Sequence, residues 1–246
     1  MKTVLCVDTS HFALHFALYD AETQALLFRY EAPVSQQWTH SALLVPLLQD
    51  ALAQSQTTLD ELSRAYLNVG PGSFTGLRAS LSMMRCLGQF LPTLELYAVN
   101  GFQWQVALLE LNEGTVFQKI TVSLDARRVQ QYNGVFHRNE RGTWQAIHPP
   151  ELLADERVFE TLDAQTLYLA DASVLGRYSG DAPTLDQSTL VGDKPLGLWQ
   201  AGRLFQITAT PWHALDALYL QEPSITPNPN LPPASLLIPI PILNSV

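Results

Sequence analysis

Apolar and polar residues alternate along the start of the chain, which is typical of β-strands. The segments TVLCVD, FALHFALYD and ALLFRYEA, joined by the short connections TSH and AETQ, predict an antiparallel meander. Apolar residues then recur every three or four positions, which predicts helices near 41–54, 76–91 and 101–111, with strands at 65–69 and 94–99. This order of elements predicts an α/β fold in which helices pack on a mixed sheet.

The second half of the chain repeats the opening pattern. The stretch KITVSLDARRVQQYNGVFH again reads as a strand, an aspartate at a turn and a strand, and TWQAIHP supplies a third strand. Asp8 and Asp125 therefore hold equivalent places in two hairpin units, which predicts two related half-domains facing one another across a cleft. Further along, TLYLAD predicts a strand, PLGLWQAGRLFQI a helix and ALYLQEPSI a closing strand.

The end of the sequence has a different composition. After Glu222 it holds seven prolines in 24 residues and almost no charge, which predicts an extended arm without a core of its own. Its apolar run ASLLIPIPIL is interpreted either as a segment that docks on a surface or as disorder. We divide the chain into half-domains 1–112 and 113–222 and a proline-rich tail, 223–246.

A glycine-rich turn, NVGPGSFTG, precedes the second helix. It lacks the lysine of a Walker A loop, and its spacing fits neither the dinucleotide-binding fingerprint nor a nucleophile elbow. It is either a structural turn, with Ser73 or Thr75 capping the helix, or an anion site at the helix start. Arg78 in the first turn opposes the helix dipole by roughly 0.3–1 kcal/mol, so we expect it to pair with a carboxylate or an anion. The candidate anion or nucleotide residues are Asp8, Thr9, Gly72, Ser73, Thr75, Arg78 and Asp125.

Two first-half helices carry more apolar surface than one contact needs. A helix lying on its own sheet requires an apolar stripe of about 100°. The helix near 76–91 leaves only a narrow polar strip, and the helix near 41–54 shows the same excess. Each helix is therefore expected to have a second buried face, either against another subunit or within this chain.

Composition narrows the possible functions. A net charge of −9, with 14 Lys and Arg, argues against a protein that binds nucleic acid unaided. Cys6 and Cys86 provide no disulfide framework and are expected to be reduced. His11 and His15 match H-x-x-x-H, but in a strand they would lie about 13 Å apart, too far to share a metal. With no signal-peptide pattern and no apolar run near ~20 residues, a cytoplasmic location without membrane contact is expected.

Five segments, in order, resemble the bacterial TsaB (YeaZ) family: VDTS, THSALLVPLL, VGPGSFTGLR, SLDARRVQQY and ALYLQEPSI. The resemblance covers roughly residues 3–222. It implies the ASKHA fold of actin and sugar kinases, with two related half-domains that each hold a mixed sheet and flanking helices. It also implies membership of the complex that makes N6-threonylcarbamoyladenosine in tRNA, as a non-catalytic relative of the metal-bearing TsaD subunit.

The resemblance also implies which groups are missing. The catalytic relative carries an H-x-x-x-H metal pair where this chain has Asn100 and Trp104. Tryptophan does not bind iron or zinc, and asparagine is a poor ligand for either. The family therefore implies no catalytic residues, no metal and no cofactor in this subunit, with ATP and Mg²⁺ only in the assembled complex.

The same family implies partners. A TsaD-like catalytic subunit is expected to bind the helices near 40–54 and 76–91, and the glycine-rich turn would then aim a dimerisation helix. A TsaE-like ATPase subunit is expected in the complex, a homodimer when the chain is alone, and contact with tRNA only indirectly. The predicted interface residues are His40, Leu44, Leu47, Leu48, Ala79, Leu81, Met83, Cys86 and Phe90.

A second function remains open on the residues alone. The chain could be a nucleotide-dependent enzyme, either a small kinase or a carbamoyltransferase, that acts through Asp8, Asp125 and the glycine-rich turn. Such an enzyme would bind ATP or ADP with Mg²⁺ and lose that binding in Asp8→Asn.

Overall fold

A computed structural model describes residues 1–10, 14–32, 40–112, 114–190 and 192–220. Predictions that involve the remaining residues lie outside the described part, among them the H-x-x-x-H pairing, through His11, and the proline-rich tail.

The first half builds a five-stranded mixed sheet in the order β3-β2-β1-β4-β5. Its strands are β1 (Thr3–Asp8), β2 (His15–Asp20), β3 (Leu26–Glu31), β4 (Leu62–Asn68) and β5 (Glu95–Val99). β1 pairs antiparallel with β2 and parallel with β4. The predicted meander is confirmed, and β1 lies at the centre of the sheet because it joins the meander to the parallel strands.

The second half builds a second mixed sheet in the order β11-β10-β6-β7-β8, with β9 paired to β7. Its strands are β6 (Lys119–Arg127), β7 (Gln130–Arg138), β8 (Trp144–Ala146), β9 (Glu151–Ala154), β10 (Thr166–Ala170) and β11 (Thr184–Asp186). Here β6 pairs antiparallel with β7 and parallel with β10. Written in reverse, this order is β8-β7-β6-β10-β11, in which β6, β7 and β10 take the places of β1, β2 and β4 in the first sheet. The two halves therefore share one topology.

The helices lie in layers around the two sheets. They are α1 (His40–Gln54), α2 (Phe74–Phe90), α3 (Gly101–Asn112), α4 (Asp155–Phe159), α5 (Ala172–Leu175) and α6 (Lys194–Leu204). α1 and α2 pack against each other and cover the outer face of the first sheet. α3 and α6 pack together between the sheets, whereas α4 and α5 contact the second sheet.

The last helix of each half packs on the sheet of the other half. α3 contacts β6, whereas α6 contacts β1, β2, β4 and β5. Tyr19 on β2 donates a hydrogen bond to Asp193 at the start of α6. Gly202 lets α6 approach β4 closely, because glycine has no side chain. A Cβ at this position would fall within 3.0 Å of the Tyr66 ring. The predicted boundary near residue 112 falls between α3 and β6, and it stays a prediction.

The predicted closing strand ALYLQEPSI is not a strand over its described residues, 217–220. The Leu218 N–H donates to the Val69 carbonyl at 2.7 Å, and Thr210 N–H donates to the Leu96 carbonyl at the same distance. The chain over 210–220 contacts the sheet through such single backbone hydrogen bonds instead of pairing along one strand, so no ladder forms. None of the helices in the described part is long and apolar enough to cross a bilayer.

Burial of tyrosine hydroxyls makes the fold sensitive to alkaline pH. Burial raises the pKa of Tyr168 to about 12. It also raises the pKa of Tyr19 and Tyr66 above the usual tyrosine value, and it raises the pKa of the Cys6 thiol. In unfolded chains these groups lose their protons near pH 8.5 for cysteine and about 10 for tyrosine. Above those values the unfolded state holds fewer protons than the folded state, so stability falls as pH rises.

We therefore expect the free energy of unfolding in urea to decrease steadily between pH 9 and about 11. The Tyr66→Phe variant should show a shallower decrease, because it removes one of the groups that must stay protonated. Tyrosinate absorbance should rise together with loss of the circular dichroism signal. Ionisation of the buried tyrosines while the fold stays intact would contradict this account.

Candidate functional site

The end of β1 and the glycine-rich turn form one buried polar network. Asp8 is fully buried, and its Oδ1 accepts hydrogen bonds from the Ser10 N–H at 2.9 Å and the Ser10 hydroxyl at 2.6 Å. Asn68, at the end of β4, donates from its side-chain amide to the Ser10 hydroxyl and accepts from the Gly70 N–H. The Thr9 hydroxyl donates to the Ser80 hydroxyl on α2 at 2.8 Å. The network ties β1, β4 and α2 together.

Two glycines let the backbone at the end of β1 lie directly on this turn. A Cβ built on Gly72 would come within 3.0 Å of the Ser10 carbonyl, and one built on Gly76 would come equally close to the Thr9 carbonyl. The Ser73 N–H donates to the Ser10 carbonyl at 2.6 Å. These glycines therefore face the chain's own backbone, which supports the structural interpretation of the turn.

The first turn of α2 is capped as the sequence predicts. Ser73 is the N-cap residue, and its hydroxyl accepts from the Gly76 N–H at 3.3 Å. Thr75 is exposed. Arg78 stacks on the ring of Phe74, with its guanidinium carbon 3.9 Å from the ring centre. In the described part of the chain, Arg78 makes no ion pair, so the expected carboxylate partner is not found there.

Asp125 lies in a separate cluster on the second sheet. The Arg177 guanidinium contacts Asp125 Oδ1 at 3.3 Å and Asp155 Oδ2 at 2.6 Å. Asp155 is buried and also accepts from the Gln131 amide at 2.9 Å, while Tyr168 donates to Gln131. The hydrogen bond with Asp155 raises the pKa of Arg177. Asp125 therefore has a cationic partner, whereas Asp8 is enclosed by its own turn; the structure does not gather these two carboxylates in one exposed site.

Asn100 and Trp104 have structural contacts at the start of α3. Asn100 Oδ1 accepts from the Gln103 N–H at 2.9 Å, while Gln103 accepts from the Asn100 N–H, which closes a cap. The Trp104 indole N–H donates to the Lys194 carbonyl at 2.8 Å and so ties α3 to α6. Within the described ranges, no three His, Cys, Asp or Glu side chains are grouped as a metal site would require. That this chain binds no metal stays a prediction.

Several predicted interface residues are buried inside this chain. These are Leu44, Leu47, Leu48, Leu81 and Met83, which share one core cluster beneath α1 and α2. The wide apolar arcs are therefore largely explained by packing within the molecule, and arc width alone does not require another subunit. A partner would not reach these five side chains in this conformation.

A segment from the end of the described chain supplies part of this cover. We call residues 210–220 the strap. Leu215 is buried in the α1–α2 cluster, and Arg85 on α2 donates through Nε to the Leu215 carbonyl at 2.8 Å. A Cβ on Gly88 would come within 3.0 Å of Trp212, so the strap lies against α2. Local sequence patterns do not predict this contact, because Arg85 and Leu215 are 130 residues apart.

The rest of the predicted interface stays at the surface. Ala79 is half-buried, Cys86 is exposed as a free thiol, and Phe90 is 74% exposed. Val45 on α1 adds another exposed apolar side chain, at 55%. The side chain of His40, the first residue of α1, lies outside the described part. Whether this surface binds a partner stays a prediction.

The chain combines two topologically repeated mixed sheets with a glycine-rich turn held against its first strand. A protein-family model described as TsaD, tRNA N6-adenosine threonylcarbamoyltransferase, matches residues 32–175, more than half of the chain. The chain therefore belongs to this family. Curated proteins named TsaB are similar to this chain, in agreement with the resemblance found in the sequence.

The relatives are distant. The tRNA threonylcarbamoyladenosine biosynthesis protein TsaB of Escherichia coli is 27% identical over 161 residues, which cover 65% of this chain and 65% of that protein. TsaB of Bacillus subtilis is 27% identical over 155 residues, covering 62% of this chain and 63% of the relative. In both cases the match spans slightly less than two thirds of the relative's length.

Two solved structures share the fold. YeaZ from Pseudomonas aeruginosa superposes with a TM-score of 0.69 at 22% identity, covering 89% of this chain and all of that one. A structure described as an uncharacterized protein with similarity to peptidase YEAZ, from the same organism, has a TM-score of 0.72 at 21% identity, covering 90% and 100%. The ASKHA-like α/β fold with two related halves is confirmed.

Proposed function

We propose that this chain takes part in the biosynthesis of threonylcarbamoyladenosine in tRNA, as a non-catalytic subunit that binds and supports a TsaD-like catalytic subunit. The observation that carries the proposal is the family match, together with the names of the TsaB relatives. The location that fits this role is the cytoplasm.

The proposed contact surface is the outer face of α1 and α2. Support comes from Phe90 and Val45, large apolar side chains that are 74% and 55% exposed. Burial of a phenylalanine contributes about 1.5–3 kcal/mol, and aromatic side chains are typical anchors of protein interfaces. The buried leucines beneath would act indirectly, by holding α1 and α2 rigid.

The proposed lack of catalysis is supported by the contacts of Asn100, Trp104 and the glycine-rich turn. Asn100 closes a helix cap and Trp104 joins α3 to α6, so both side chains serve the fold. The glycine-rich turn is packed on Thr9 and Ser10. We propose that ATP and Mg²⁺ act only in the assembled complex, that a TsaE-like ATPase subunit joins it, and that tRNA contacts this chain only indirectly. Without its partner, the chain would self-associate through the same surface.

The alternative, a nucleotide-dependent enzyme acting through Asp8 and Asp125, has weaker support. Such chemistry needs carboxylates that can reach a bound ion and a phosphate chain. Asp8 is fully buried beside Ser10, and Asp125 is paired with Arg177. Calorimetry with ATP and Mg²⁺ tests it, because heat of binding that disappears in Asp8→Asn would favour the enzyme over the subunit.

The subunit proposal is tested by co-elution with the TsaD-like protein from the same organism in sizing chromatography. Phe90→Asp should weaken the complex at least tenfold, because it places a charge at an apolar anchor while leaving the core intact. Val116→Asp is the matched control, since Val116 is 88% exposed and lies outside α1 and α2. Failure of the parent chain to co-elute, or equal binding by both variants, would count against the proposal.

A further inference from the structure

The outer face of α2 carries a row of exposed side chains that the fold does not cover. Phe74, Arg78, Ser82, Cys86 and Phe90 are all exposed and follow one another at intervals of four residues. Each interval turns the helix by about 40°, so the row winds around α2, and its last two members, Cys86 and Phe90, are neighbours at the C-terminal end. Phe90, which is 74% exposed, lies at the end of the helix. No acidic residue occurs in α2, so this face has no carboxylate of its own to repel or attract a ligand.

The strap delivers the chain to the start of this face. The Tyr219 ring lies 5.5 Å from the Phe74 ring, and both side chains are partly exposed. Phe74 is the first residue of α2. Residues 221–246, which lie outside the described part, therefore continue from a point beside the N-terminal end of the helix.

The sequence of residues 221–246 suits a contact with that face. Beyond Glu222 the segment has no charged side chain, and its residues 234–243 read ASLLIPIPIL. An extended chain advances about 3.3 Å per residue, so the residues between 220 and 234 can span roughly 45 Å. The 17 residues of α2 measure only about 25 Å. The apolar run can reach every position along the helix, including Phe90.

We propose that residues 234–243 bind the outer face of α2 in the same chain, over Cys86 and Phe90. The apolar side chains of the run and the Phe90 ring would leave water together. Because the run is tethered beside the helix, its effective concentration there is high, and a weak contact suffices. The segment would cover the surface that the proposed function assigns to a partner, and would compete with that partner for it.

Cys86 provides a direct probe of this cover. The chain has two cysteines, and Cys6 is buried with a raised thiol pKa, so a monofunctional maleimide reports on Cys86. We expect the 246-residue chain to be labelled about tenfold more slowly than a chain ending at Leu220. This ratio corresponds to a face that the segment covers about nine-tenths of the time, because only the uncovered state reacts. At protein concentrations where sizing chromatography shows a monomer, the rates should not depend on concentration. Cys6 should stay unlabelled in both, which verifies that the shortened chain is folded.

A pair of full-length variants gives the matched control. Leu236→Asp combined with Leu237→Asp should be labelled as fast as the shortened chain, whereas Asn228→Asp combined with Asn230→Asp adds the same charge outside the apolar run and should stay slow. Equal labelling of all four chains would overturn the proposal, and so would protection that increases with protein concentration, which would indicate the segment of a second copy. The measurement needs no partner protein, so its result stands whether or not a TsaD-like subunit binds.

Discussion

Replacing Gly76 by alanine is expected to lower the free energy of unfolding by roughly 3 kcal/mol. Gly76 lies in the first turn of α2, where alanine is intrinsically favoured over glycine by about 1 kcal/mol. The added Cβ would nevertheless fall within 3.0 Å of the Thr9 carbonyl, and that carbonyl belongs to backbone at the end of a central strand. Because the clash involves backbone instead of a flexible side-chain end, the strand or the helix must shift. Urea unfolding followed by circular dichroism measures the effect.

Gly101→Ala is the control for this experiment. Gly101 is the first residue of α3, and a Cβ there would meet its nearest neighbours at 3.6–3.8 Å, which is ordinary van der Waals contact. We expect a change within about 0.5 kcal/mol or a slight stabilisation. A Gly76→Ala protein as stable as the Gly101→Ala protein would show that the glycine-rich turn is not pressed against β1, and would reopen its interpretation as an anion site.

Replacing Arg177 by methionine is expected to cost about 2–3 kcal/mol. Asp155 has only 4% of its side chain exposed, and loss of the guanidinium would leave a buried carboxylate with the Gln131 amide as its remaining side-chain donor among the described residues. The value lies below that of a fully buried pair because the Arg177 side chain is 30% exposed and partly screened by solvent. Thermal and urea unfolding of the purified variant provide the measurement.

The neighbouring Arg157→Met variant removes the same charge from an exposed position on α4 and should change stability by no more than about 0.5 kcal/mol.

Combining Arg177→Met with Asp155→Asn should cost less than the two single losses added together, because the second change removes the charge that the first leaves unpaired. Strict additivity would mean that Arg177 and Asp155 have no interaction energy with each other.

Much of the fold follows from local sequence patterns. The alternation in β1, β2 and β3 and the period of α1, α2 and α3 reflect burial on one or both faces, and the structure confirms these elements to within a few residues. The hairpin repeat around Asp8 and Asp125 also proved to be the repeat of two whole sheets. Short elements such as β9, α4, α5 and β11 were not predicted, because three to five residues hold too little periodicity.

The candidate site was harder to predict because its contacts join distant parts of the chain. A wide apolar arc on α2 shows that something covers the helix, but the arc does not identify Leu215 of the strap as part of that cover. Likewise, the partner of Asp125 is Arg177, which is 52 residues away and carries no sequence signal of its own. Local patterns report how much surface is buried, whereas the identity of the covering residue depends on the tertiary fold.

The exchange of α3 and α6 between the two sheets has a consequence for synthesis on the ribosome. The inner face of the first sheet, with Val4, Cys6 and Tyr19, is complete only when α6 has packed on it. After β5 emerges, about a hundred further residues must be translated before Leu204 is available, which takes on the order of ten seconds at typical rates of synthesis. During that interval the apolar inner face of the first sheet stays exposed in the nascent chain, and exposed apolar surface of this kind favours aggregation.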